Sequence, residues 1–177
     1  VSTLLKLDKI PSDWLADNVE WRARVERLTP SKAPPLPSEE LLAKEYVKSI
    51  GQSQQYISER TSTNKVAGLV KDPVFDISEG SVNLDLGGGR FGATTKYLEK
   101  EGVTNLVLDP ASPLEEIGKV LSYLHNVNIK PVDSVTVANV LNVIKEKEGR
   151  QSVIQQAYDY VKPGGKSYFH IGLIGVL

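Results

Sequence analysis

The sequence predicts an α/β fold, a doubly wound and mostly parallel sheet with an N-terminal helical extension, and three observations point there. From about residue 80, short runs rich in β-branched and aliphatic residues alternate with helical stretches, which is the pattern of parallel strands joined by helical crossovers. A glycine-rich turn, Gly87-Gly88-Gly89, falls between the first such run and the helix after it. An acidic residue, Asp109, ends the second run about 20 residues further on.

Taken in order, Val82 to Leu86 reads as the first strand and Thr94 to Glu101 as its helix. Leu106 to Leu108 is the second strand and Leu114 to Leu124 the next helix, followed by a faint third strand around Val127 to Ile129. Val135 to Ala138 is a further strand and Ser152 to Tyr160 a helix. Pro163, Gly164 and Gly165 then turn the chain into a last strand, Ser167 to Ile171. Crossovers between parallel strands are expected to be right-handed.

Residues 1–60 read differently. Ser12 and Asp13 can cap a helix carrying Trp14, Leu15, Val19, Trp21, Val25 and Leu28, and the two tryptophans, seven residues apart, would anchor it to a core. Pro30, Pro34, Pro35 and Pro37 form a rigid linker. Ser38 then caps a second helix with Glu39 and Glu40 in its first turn and a stripe of Leu41, Leu42, Tyr46, Val47 and Ile50. The polar segment Thr61 to Lys65 reads as a linker, with a lid over a ligand as the alternative. The expected division is an extension over 1–60 and a ligand-binding domain over 61–177.

Composition excludes several function classes. The 177 residues suffice for one well-packed domain with an appended element. Hydrophobic residues make up 40% and charged residues 24%, the balance of a globular protein. No apolar run approaches the roughly 18 residues of a membrane span, and no secretory signal is visible, so the expected location is cytoplasmic, with Val1 following a trimmed initiator methionine. Without cysteine there is no disulfide, thiolate metal site or cysteine nucleophile, and with only His125 and His170 a structural zinc site is excluded. A net charge of −1 does not indicate a nucleic-acid partner.

The chemistry concentrates in Asn83-Leu84-Asp85-Leu86-Gly87-Gly88-Gly89-Arg90-Phe91-Gly92. Glycines allow a sharp turn and close backbone approach to a ligand, where any Cβ would collide. A carboxylate at Asp109 can accept hydrogen bonds from both ribose hydroxyls of an adenosine-type ligand. Arg90 reads as a solvent-facing turn residue.

Over Val82 to Ile171 the chain resembles class I, Rossmann-like S-adenosylmethionine (SAM) dependent methyltransferases, and also compact, phage-encoded methyltransferase-like proteins. Asp85-Leu86-Gly87-Gly88-Gly89 looks like their first motif, Asp133 to Asn142 like their fourth strand and the turn over the transferred methyl, and Val161 to Lys166 like the turn opening their fifth strand. The resemblance implies SAM as cofactor, with Asp85 and Gly87 to Gly89 on the methionine part, Asp109 on the ribose, and Ala138 with Asn139 near the methyl. Asn139 could equally cap the following turn, and His170 is a candidate base or a structural histidine. Phe91 stands where many members have another glycine. No acidic residue for the adenine amino group is evident between Asp109 and Asp133, and the sequence ends before the family's last two strands.

The resulting expectation is a methyltransferase of unknown acceptor. The alternatives are a non-catalytic binding or assembly subunit and a nicotinamide-dependent oxidoreductase, against which Asp85 argues. An exposed edge on the last strand would be covered by the N-terminal helices or by another subunit, in a homo- or hetero-oligomer.

Overall fold

A computed structural model of the chain describes residues 37–125 and 132–172. Four parallel strands, β1 (Val82–Leu86), β2 (Thr104–Leu108), β3 (Val132–Ala138) and β4 (Val161–His170), form one sheet in the order β2-β1-β3-β4. The fold is the shortened, Rossmann-like α/β arrangement that the alternating pattern predicts. The helices are α1 (Glu39–Ile50), α2 (Gln52–Thr61), α3 (Ala93–Lys100), α4 (Leu114–His125) and α5 (Lys147–Tyr160), with a short 3-10 turn at Gly68–Lys71. None of the described helices is long and apolar enough to cross a membrane.

The strand order fixes where a crevice opens. From β1 the chain steps outward to β2, then returns past β1 to β3 and on to β4. The direction of travel reverses between β1 and β3, so right-handed crossovers put α3 on one face of the sheet and α4 and α5 on the other. Ligands of such sheets bind beyond the carboxyl ends of the strands at that reversal.

The two faces of the sheet differ in chemistry. Leu84, Leu86, Leu108, Val135 and Val137 pack with Ile117 and Leu121 of α4, Ala157 of α5 and Leu42 and Ala43 of α1, so α1 shares the sheet's main core. Gly118 on α4 makes this packing close: a Cβ there would lie 2.5 Å from the Glu39 carbonyl oxygen. The opposite face carries a buried polar cluster, Asn83 and Asp85 of β1, Asn105 of β2, and Ser134 and Thr136 of β3. A smaller core of Val70, Leu98 and Val103, with Val66, Phe75, Ile77 and Tyr97 against it, lies around α3.

Several elements differ from the sequence reading. Ser38 caps α1 as expected, its Oγ accepting from Leu41 N at 3.2 Å. Within the stripe, however, Leu41 faces out and Ala43 is buried instead. A separate helix, α2, occupies residues read only as the end of the extension, because Gly51 at φ 85° breaks the run. The strand read at Ser167 starts already at Val161, with Asp133 opposite an irregularity that accommodates Pro163 to Gly165. The helix over Trp14 to Leu28, the proline-rich stretch up to Pro35, and the third strand at Val127 to Ile129 lie outside the described residues.

Among the described residues no strand pairs with the outer edge of β4. The segment Phe75 to Ile77 packs against this strand: Tyr168 Oη donates to the Asp76 carbonyl at 2.9 Å and accepts from Asp76 N at 3.2 Å. The Phe75 and Tyr168 rings meet edge to face, 5.0 Å between centroids. Helices α1 and α2 pack elsewhere, on α4 and over the strand tips.

Candidate functional site

A cavity of about 610 Å³ opens at the carboxyl ends of β1, β2 and β3, where the strand order reverses, and its size is that of a small-molecule site. Asp85, Gly87, Gly88, Gly89, Asp109, Ala138 and Asn139 all line it, so seven residues singled out in the sequence converge on one space. His170 does not line it. The histidine is exposed at the end of β4, in register with Ala138, and its carbonyl accepts from Asn139 N at 2.8 Å.

The glycine turn is built by β1 ending against β2. Gly87 N donates to the Leu108 carbonyl at 2.9 Å, and Gly87 and Gly89 take φ of 73° and 76°, values that cost a side-chain-bearing residue strain. Space is also short there. A Cβ on Gly88 would lie 2.5 Å from Asp85 Oδ2, one on Gly87 2.4 Å from Val140 Cγ2, and one on Gly89 2.8 Å from Ser62 Oγ.

Two buried carboxylates flank this turn. Asp85 is reached by a polar chain across the sheet: Ser134 Oγ donates to Asn83 Oδ1 at 2.6 Å, Asn83 Nδ2 donates to Asn105 Oδ1 and Thr136 Oγ1 at 2.8 and 3.0 Å, and Thr136 Oγ1 donates to Asp85 Oδ1 at 3.1 Å. Burial pushes the Asp85 carboxyl up to about 6; hydrogen bonds from Thr136 and Asn105 oppose the rise, and the charge of Asp109 adds to it. Asp109 is 1% exposed and accepts from Gly89 N at 2.8 Å on Oδ2, and from Ala111 N at 2.7 Å and Ser58 Oγ at 2.6 Å on Oδ1. It therefore faces the glycine turn, as its position at the strand tip predicts.

Beyond the strand tips the lining comes from the helices. Tyr46 of α1, its phenol pushed well above the ordinary range by burial and by the charge of Asp109, closes one side. Ser62 lies against Gly89 of the glycine turn and Ser58 of α2 on Asp109, and Thr63 together with Ser152 and Gln156 of α5 completes the lining there. Among the described lining residues Lys65 is the one lysine or arginine, against the acids Asp85, Asp109 and Glu148. The segment Thr61 to Lys65, read as a linker, thus contributes Thr61, Ser62, Thr63 and Lys65 to the cavity wall. Arg90 is exposed as expected, its guanidinium 5.0 Å from the centre of the Phe91 ring.

Asn139 lies at the turn after β3, and its side chain makes a tertiary contact instead of the local cap expected. At φ 61° it is the one described non-glycine residue in the left-handed region, and its Oδ1 accepts from Gly172 N at 3.0 Å, which ties the end of β3 to the residues after β4 rather than capping the turn that follows. It also lines the cavity. Ser58 carries no motif that sequence reasoning could find, because it meets Asp109 only through the tertiary packing of α2, whereas Ser62 falls in the Thr61 to Lys65 segment for which a lid is the alternative reading.

The residues present suit an adenosyl amino acid in part. The turn offers a cradle that any Cβ would fill, and the donor set is anionic and hydroxyl-rich, which suits a ligand with positive charge and hydroxyls. Oδ1 of Asp109 is already engaged by Ser58, so one of the two acceptors needed for a ribose diol is held by the protein itself. Compared with protein-family models, with curated proteins and with solved structures, the chain matches none.

Proposed function

We propose that the chain binds SAM in the cavity at the strand tips and transfers its methyl group to an acceptor. The observation that carries this reading is the pair of buried carboxylates, Asp85 and Asp109, on either side of one glycine turn. Two carboxylates there oppose the pyrophosphate of a dinucleotide and favour a cationic ligand, and the interaction is strengthened by low local dielectric. SAM brings a sulfonium, an ammonium and a ribose diol, matching those groups. A nicotinamide-dependent oxidoreductase is disfavoured on the same ground.

In this reading Asp85 and the amides of Gly87 to Gly89 hold the methionine part, Asp109 holds the ribose, and Ala138 with Asn139 flank the reacting centre. When bound, the cofactor supplies a methyl group on a good leaving group. The protein's own work is then orientation of the acceptor and exclusion of water, which requires no nucleophile or triad. His170, off the cavity, serves as a base only for an acceptor that extends beyond Asn139.

Calorimetry and thermal shift with SAM and S-adenosylhomocysteine test the reading. Binding is expected, and Asp109→Asn should weaken it by at least about tenfold, the loss of one charged hydrogen bond. Absence of heat and of any thermal shift at millimolar ligand would overturn it. One observation favours a second reading, a non-catalytic subunit of this fold: Ser58 and Ser62 already satisfy or cover Asp109 and Gly89.

A further inference from the structure

Helix α2 lies over the cavity with little to hold it. None of its described residues is buried, and its first turn has neither a side-chain cap nor an acidic residue. Few buried apolar contacts mean a low local opening free energy. Its outer face carries Tyr56 and Arg60, stacked on each other 5.4 Å apart in solvent. Two side-chain hydrogen bonds tie α2 to other elements among the described residues: Gln54 Nε2 to Glu146 Oε2 at 3.3 Å, and Ser58 Oγ to Asp109 Oδ1 at 2.6 Å. The helix begins at Gly51, whose φ of 85° and ψ of 154° only glycine adopts readily, so α1 and α2 meet at a natural hinge.

The second of those ties falls on the carboxylate assigned to the ribose. A carboxylate offers about four acceptor positions, and both on Oδ1 are taken, by Ser58 Oγ and Ala111 N, while among the described residues Oδ2 accepts from Gly89 N alone. A vicinal diol that engages both oxygens needs a place on Oδ1. Ala111 N belongs to the turn that Asp109 itself closes, its carbonyl accepting from Ser112 N at 3.0 Å, so Ser58 is the partner free to leave.

We infer that α2 is a latch: the Ser58 hydroxyl stands on Asp109 in the place of a ligand hydroxyl, and a diol-bearing cationic ligand displaces it, swinging α2 about Gly51. The inference rests on the adenosyl reading for the identity of the ligand, while the latch itself is a property of the chain. Ligand entry and uncovering of the cavity become one event, so the acceptor gains access only when the first ligand has taken Asp109. Ser58 is accordingly a positioning residue, acting through Asp109 and α2.

Hydrogen exchange of the whole chain, with and without SAM, tests this in the wild type, Ser58→Ala and Ser58→Thr. Without ligand, amides of residues 54–62 should exchange about tenfold faster in Ser58→Ala, and at the wild-type rate in Ser58→Thr, which keeps the hydroxyl. SAM should also bind Ser58→Ala about tenfold more tightly, since one charged hydrogen bond no longer competes. Unchanged exchange of α2 in Ser58→Ala overturns the latch, as does weaker SAM binding by that variant. Faster exchange of α2 with no SAM binding by any of the three proteins supports the latch and overturns the adenosyl reading, so the two fail separately.

Discussion

Thr136 Oγ1 donates to Asp85 Oδ1 at 3.1 Å, between two residues that stand opposite each other in the β1–β3 register. That bond links the floor of the cavity to a buried polar layer and sets up a dependence on pH. Burial raises the Asp85 carboxyl from its ordinary 3.8 to about 6. Its contribution to stability is therefore complete below about pH 4 and lost as pH rises through about 6, on the order of 3 kcal/mol. Asp85→Asn removes the charge, so relative to the wild type it should gain stability by up to that amount between pH 4 and 7 in urea unfolding. Parallel pH profiles for the two proteins would show that Asp85 ionises normally.

Asn83 is the hub of the same layer. Fully buried, it accepts from Ser134 and donates to Asn105 and Thr136. Asn83→Ala strands a buried hydroxyl and a buried amide oxygen, and should cost on the order of 3 kcal/mol, well above the loss of one bond. A cost under about 1 kcal/mol in denaturant unfolding would mean that water replaces the amide.

The glycine turn separates space from backbone strain. Gly88 has an ordinary φ, yet a Cβ there meets Asp85 Oδ2 at 2.5 Å and Val107 Cγ1 at 3.1 Å. Gly88→Ala should destabilise by about 1–3 kcal/mol by overpacking against a carboxylate its neighbours hold in place. Gly92→Ala, with nothing within 4 Å and a φ of −72°, should stay within about 0.5 kcal/mol of the wild type. Equal melting temperatures for both variants would count against close packing of Gly88 on Asp85 and Val107.

Asp133 pins the base of the sheet. Oδ2 accepts from Val82 N at 2.7 Å and Oδ1 pairs with Lys162, and these partners, Lys162 first, hold the carboxyl below its ordinary range. Its contribution is present at neutral pH and lost as pH falls through the lowered value. Asp133→Ala should cost about 1 kcal/mol at pH 7, the site being partly open to water. The difference from wild type should close in acid, and a pH-independent difference would assign the effect to packing.

The strands, the glycine turn and Asp109 were legible because each is a local signal. Val82 to Leu86 alternates aliphatic with polar residues and is bounded by turn residues, and three glycines at its end have no cheaper explanation than a tight turn. The onset of β3 at Val132 and of β4 at Val161 was harder to read. In both, polar and turn-forming residues, Asp133 and Pro163 to Gly165, are accommodated by a register irregularity that only the pairing of the two strands supplies.

Sequence alone determined the class of fold, the place of the turn and the facing of Asp109 toward it, because period, glycine content and strand length act over a few neighbouring residues. Tertiary structure decided the rest. It set the order β2-β1-β3-β4 and hence the point of reversal, turned one sheet face into a buried hydrogen-bonded layer, and laid α2 across the strand tips with Ser58 on Asp109. Those outcomes depend on contacts between residues some 50 positions apart, and no local pattern specifies which hydroxyl meets which carboxylate.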